Sequence, residues 1–271
     1  MALYKYNGDE MTDIVYQTDR DYFCCFSLFE TIGVCGDSYA CGVSAEQPDE
    51  DLDGTHSHFN ACWPAVLARR NGVTVTNYSY GGLSTRSWRY SSSYGLPRLL
   101  SESPKQLYIL ALERNDYNII DRAAAGSSDE NYLGALTDIT ENSLGSYPDT
   151  FYGNYATIIE SIQNYSPRSR IVMMAGDYSS RSVLGTALHN AMAEIAAYYE
   201  IPIIRQRDDS YVNNSYVSDK YYKYDPNGGH PQPIAYTGLY LSIERLFNKC
   251  VRDYKSYFQY YTGNLTPVTQ S

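Results

Sequence analysis

Two side chains in this sequence have the surroundings of a nucleophile and its base. Ser38 follows Gly36-Asp37 directly behind the apolar run Thr31 to Cys35. A glycine there permits a tight turn that turns the serine hydroxyl to solvent and its N–H into a cleft. Gly-Asp-Ser also makes ordinary turns and helix caps, so the triplet alone decides nothing. A serine needs a base, and the chain has 4 histidines to choose from. His189 lies within the helical pattern LGTALHNAMAE and reads as a structural side chain. His56 and His58 share an acidic loop with Asp51 and Asp53; ligands two apart on a loop are a loose metal signal, and a solvated polar loop accounts for them, so no metal is expected. His230 differs, because the Gly-rich DPNGGHPQP places backbone restraints on both sides of it at a loop-to-helix junction. That placement suits a positioned base.

Attack of a hydroxyl on an acyl carbonyl also requires donors for the oxyanion, each worth on the order of 3 kcal/mol in the barrier. Gly82 can offer its backbone N–H, Asn115 its side-chain amide, and Ser38 its own N–H. Gly-Gly pairs make turns and Asn-Asp pairs cap strands, but here each candidate follows a separate strand, in order.

The elements that must carry these groups are legible as alternating periods. Thr31 to Cys35, Val73 to Asn77, Leu107 to Leu112, Ile171 to Ala175 and Ile201 to Arg205 read as short strands, mostly continuous in hydrophobicity as buried parallel strands are. Phe59 to Arg70, Phe151 to Tyr165, Leu184 to Tyr199 and about Ile234 to Lys249 repeat apolar residues at helical spacing. Such alternation predicts an α/β fold, a parallel sheet covered on both faces with sites beyond the carboxyl ends of its strands. The sequence from Tyr117 to Thr150, rich in Gly, Ser, Asp and Asn, reads as an irregular insertion beside that rim, and the tail from Val251 to Ser271 has no assignable structure.

Composition bounds the rest. A chain of 271 residues is expected to form one domain with a sizeable core. Its net charge of −10 and pI near 4.8 oppose a nucleic-acid partner, and no apolar run approaches the roughly 20 residues that span a bilayer. The N-terminus opens without an apolar stretch of signal-peptide length, so a cytoplasmic product is expected. The six cysteines contain no Cys-x-x-Cys pair and indicate neither a disulfide framework nor a zinc ribbon. The 30 tyrosines suit contact with sugars or protein partners, or serve as half-buried packing; composition leaves both open.

In order and spacing, four segments resemble the sequence blocks of the SGNH hydrolase superfamily, the GDSL-type lipases and esterases: IGVCGDSYA with Ser38, NYSYGGLST with Gly82, LALERND with Asn115 and DPNGGHP with His230. The resemblance spans about residues 28 to 250. It implies a flavodoxin-like three-layer α/β/α sandwich and an esterase or deacylase activity without metal or organic cofactor. Two positions depart from the pattern. Glu113 stands where the third block usually has glycine, and should crowd that turn. The acid that orients the histidine normally lies three residues before it, where this chain has Asn227; Asp225 is the nearest carboxylate. Either the Gly-Gly pair lets the loop bulge so that Asp225 reaches His230, or the site works as a Ser-His dyad.

SLFETIGVCGDSYA, TFYGNYATII and GGHPQPIAY are also similar to SGNH-type proteins encoded by gut bacteria and their phages. The expected partner is therefore a small-molecule or glycan ester, with O-acetyl groups on carbohydrate first, in a homo-oligomer or a virion assembly. The competing expectation is a glycan-binding or phage structural module that keeps the fold with little turnover; a peptidase or thioesterase ranks third.

Overall fold

The computed structural model describes residues 24–43, 60–124, 129–176, 183–206, 230–231 and 233–262. Its strands are β1 (Thr31–Gly36), β2 (Thr74–Asn77), β3 (Leu107–Ala111), β4 (Arg170–Ala175) and β5 (Ile203–Arg205). They form one sheet in the order β2-β1-β3-β4-β5, every pairing parallel. The helices are α1 (Ser38–Cys41), α2 (Trp63–Asn71), α3 (Thr85–Tyr90), α4 (Leu96–Ser101), α5 (Arg114–Ala124), α6 (Thr137–Thr140), α7 (Phe151–Tyr165), α8 (Val183–Tyr198), α9 (Pro233–Asp253) and α10 (Lys255–Thr262).

Alternation along each strand sends side chains to two cores. Ile32 and Val34 of β1, Leu107 and Ile109 of β3, and Val172 and Met174 of β4 join Trp63, Leu67, Tyr236, Ile243 and Phe247 of α2 and α9 on one face. Cys35, Tyr108, Leu110, Ile171 and Met173 join Trp88, Phe151, Tyr155, Ile159, Leu188 and Met192 of α3, α7 and α8 on the other. Burial on both sides is why these strands read as unbroken apolar runs. The architecture is the three-layer α/β/α sandwich expected.

Two segments correct the sequence reading. The stretch beginning at Tyr117 is not irregular from its start: Arg114–Ala124 is helical, with Ile119 and Ile120 buried against the core. Its first turn doubles as the third sequence block, and this polar start masks the short apolar stripe behind it. The tail also holds structure, since α10 packs Phe258 edge-on against Phe29 and Phe247, while the Tyr257 hydroxyl takes the Ile171 N–H and donates to the Ile171 carbonyl, each at 3.0 Å.

Many tyrosines prove to be core residues. Tyr78, Tyr108, Tyr155, Tyr236 and Tyr240 are fully buried. Their hydroxyls are tied to partners: Tyr78 donates to Glu102, Tyr155 to the Leu112 carbonyl, and Tyr240 accepts from Asn71. A buried phenol satisfied in this way packs as a large hydrophobe with an anchored tip. No helix among the described residues is long and apolar enough to cross a membrane.

Candidate active site

The strand order reverses between β1 and β3, because the chain leaves β1 toward β2 on one side and returns to place β3 on the other. In open parallel sheets, ligands sit at such a switch point, outside the carboxyl ends. Three strand ends converge there. Gly36, the last residue of β1, pairs with Ala111 of β3. A Cβ on Gly36 would lie 2.7 Å from Ala40 Cβ and 3.0 Å from Ser79 Oγ, so only glycine lets the turn and the β2 end close in.

Beyond Gly36 the chain turns sharply. Asp37 caps α1, its carboxylate accepting the Tyr39 N–H at 3.0 Å, and Ser38 is the first helical residue. At that position the serine N–H stands outside the helix ladder, as an oxyanion donor must. The Ser38 carbonyl accepts from Gly42 and Val43, each at 3.0 Å, which closes the short helix. Asn77 at the end of β2 donates to the Ala40 carbonyl at 2.8 Å and fixes α1 over the sheet.

The second block approaches from β2. A Cβ on Gly81 would lie 4.0 Å from Ser38 Cβ, and Gly82 beside it is exposed, with φ +79 and nothing within 4 Å of a built Cβ. The third block is welded to the second. Asn115 donates to the Leu83 carbonyl at 3.0 Å, leaving a second amide hydrogen. Asp116, fully buried, accepts from the Thr85 N–H with both oxygens at 3.0 Å, from the Thr85 hydroxyl at 2.6 Å and from the Tyr132 hydroxyl at 2.5 Å. Ser38, Gly82 and Asn115 are therefore carried on turns that contact or hydrogen-bond one another at a single rim.

His230 arrives from the far end of the chain. Its half-buried ring lies against that of Tyr39, centroids 5.5 Å apart and planes inclined by 35°. Pro231 behind it is buried, and one turn into α9 the Tyr236 hydroxyl donates to the Val43 carbonyl at 2.5 Å. The imidazole is thus placed beside the residue that follows Ser38. Asp225, Asn227, His56 and His58 lie outside the described residues.

Glu113 is buried at the turn after β3. Its side chain runs sideways under the third block, where Oε1 accepts the Gly176 N–H at 2.7 Å and Oε2 lies 3.4 Å from Nε2 of His189. His189 is structural in this sense: it is a buried neighbour of Glu113. Beneath the turn that carries Ser38, Asp37, Tyr39, Glu113 and Gln206 line a cavity of about 30 Å³.

This floor is acidic, with Asp37 and Glu113 both buried. Burial pushes the Asp37 carboxyl up to about 7, opposed by the Tyr39 N–H and reinforced by nearby Glu113 and Asp116. Burial likewise raises Asp116 to about 6, against the hydrogen bonds of Thr85 and Tyr132. Asp116, Thr85 and Tyr39 are not among the site residues expected from the sequence. Asp116 carried a signal, its place beside Asn115; Tyr132 carried none. Among the described residues no group of three or more His, Cys, Asp or Glu is placed to hold a metal ion.

No protein-family model matches the sequence, and no curated protein does. Solved structures do match. A protein from Bacteroides ovatus described as GDSL-like lipase is 17% identical with a TM-score of 0.54, over 81% of this chain and 98% of its own. The psychrotrophic esterase EstA from a Pseudoalteromonas species is 12% identical with a TM-score of 0.54, over 82% and 99%. Phospholipase A1 from Streptomyces albidoflavus is 14% identical with a TM-score of 0.52, over 82% and 99%. Together with the parallel sheet and its flanking helices, these matches mean that the chain has the fold of the GDSL-like lipases and esterases.

Proposed function

We propose that the chain is a serine ester hydrolase of the SGNH type. The observation that carries the proposal is the meeting of the His230 ring with Tyr39, next to Ser38, at the rim that also bears Gly82 and Asn115. In this reading His230 takes the proton of Ser38 as the serine oxygen attacks an ester carbonyl. The N–H groups of Ser38 and Gly82 and the Asn115 amide hold the resulting oxyanion. Collapse expels the alcohol, which leaves with the proton held by His230. Water, deprotonated by the same imidazole, then releases the acid and restores the serine.

The substrate we assign is a short acyl ester, acetyl first, on a carbohydrate, in an enzyme of gut bacterial or phage origin. Its support is the resemblance of the first and last blocks to such proteins, together with a half-buried aromatic pair beside the second block: Tyr80, directly before Gly81, stacks on Tyr94 with centroids 4.3 Å apart, and tyrosines suit contact with sugars. Hydrolysis of short-chain nitrophenyl esters and of an O-acetylated oligosaccharide by wild type and Ser38→Ala tests both levels. Turnover lost in the variant, with a fluorophosphonate probe mapped to Ser38, is expected. Equal rates in the two proteins refute the serine's role, and turnover confined to long-chain esters refutes the acyl assignment.

A further inference from the structure

We propose that Tyr39 is a positioning residue for the base, holding the His230 imidazole in its working plane; this rests on the hydrolase reading above. The backbone of Tyr39 is fixed from below, where its N–H is bound to the buried Asp37 carboxylate at 3.0 Å. Tyr39 lines the cavity below the turn with Glu113 and Gln206, and its ring centroid lies 5.5 Å from that of the imidazole. Rings at that separation are in packing contact. A second tie supports the same junction, since the Tyr236 hydroxyl bonds the Val43 carbonyl and so pins the start of α9, just beyond His230, to the segment that ends α1.

The consequence is geometric. A proton moves between Ser38 and His230 only when the imidazole nitrogen faces the hydroxyl, and a displacement of about 1 Å can cost on the order of a hundredfold in rate. A flat ring packed beside the imidazole restricts its rotation about Cβ–Cγ. An aliphatic side chain at position 39 removes that wall while leaving the capping N–H of the same residue intact. The wall is the flat face of the ring, which phenylalanine keeps, so phenylalanine should serve as well.

The test uses the full chain with nitrophenyl acetate as substrate and the histidine ring protons as a spectroscopic probe, His230 being assigned with His230→Gln. In the wild type, a nuclear Overhauser contact between the Tyr39 and His230 rings is expected. Tyr39→Leu should lose roughly tenfold in kcat, about 1.4 kcal/mol, with KM little changed, and its His230 signals should move as the ring current is lost. Tyr39→Phe should restore both. An active wild type that lacks the Overhauser contact, or a folded Tyr39→Leu with wild-type kcat, overturns the role of Tyr39 alone. A wild type that shows the contact but neither turns over esters nor takes the fluorophosphonate at Ser38 overturns the hydrolase reading, and this role with it. If Tyr39→Leu fails to fold, the Overhauser contact and Tyr39→Phe still decide.

Discussion

Oε2 of Glu113 lies 3.4 Å from Nε2 of His189, with both side chains at most 2% exposed, and the other carboxylate oxygen of Glu113 accepts the Gly176 N–H. The pair joins the turn after β3 to the carboxyl end of β4 and to α8. Glu113→Ala leaves the buried Gly176 N–H without its acceptor and removes the carboxylate that lies beside the buried His189 ring. It should cost about 2 kcal/mol of stability, read as a lower urea midpoint at unchanged slope. Glu113→Gln, which keeps an acceptor for Gly176, should lose less than half of that.

Asp37 makes a prediction in pH. Its carboxyl is raised from 3.8 to about 7 by burial. Between those values the folded protein holds a proton that the unfolded chain has released, so stability falls as pH rises through that window. The contribution is fully present below about 4 and gone above about 7. A tenfold difference in proton affinity between the folded and unfolded chain is worth about 1.4 kcal/mol, and coupling to Glu113 and Asp116 reduces what one site can deliver. Asp37→Asn keeps the cap on Tyr39 but does not ionise. Its melting temperature should therefore exceed that of wild type at pH 8 by more than it does at pH 4. An identical difference at both pH values refutes the raised affinity of this carboxyl for its proton.

Asn115→Ala removes one of the proposed oxyanion donors and one hydrogen bond to Leu83. We expect kcat for short esters to fall by about a hundredfold or more. The melting temperature should change only slightly, because Asp116 still holds the second and third blocks together through Thr85 and Tyr132. A parallel collapse of stability would make Asn115 a structural residue.

Gly82 separates space from backbone. A methyl there meets nothing within 4 Å, yet φ is +79. Gly82→Ala should cost roughly 1–2 kcal/mol from the left-handed conformation alone. It should also lower kcat, as relaxation of φ swings the N–H out of the rim. Unchanged turnover at reduced stability would remove Gly82 from the donor set.

Asp225→Ala distinguishes the two ways of orienting His230. Loss of turnover by orders of magnitude is expected if this carboxylate completes a triad; near-normal turnover leaves a dyad braced by other groups, Tyr39 among them.

Much of this arrangement was legible before any coordinates. All five strands fall within a residue or two of their sequence-based bounds; two-sided burial writes β1, β3 and β4 as apolar runs, while the edge strands β2 and β5 are only partly buried. Leu184 to Tyr199 matches α8 closely, since its apolar stripe is long. Helix α5 was not seen, because its first turn is spent on Asn115 and Asp116, and helix α10 was not seen because KSYFQYYT mixes polar and aromatic residues without a clear stripe.

By itself the sequence determined the α/β class, the parallel sheet and the order in which Ser38, Gly82, Asn115 and His230 follow one another, since periodicity and turn-forming residues are local properties. Only the tertiary structure decided which distant groups meet: Tyr39 with His230, Glu113 with His189, and Asp116 with Thr85 and Tyr132. Those contacts depend on how two cores pack against one sheet. No short-range pattern records that, because a buried carboxylate finds its donors wherever the folded chain brings them.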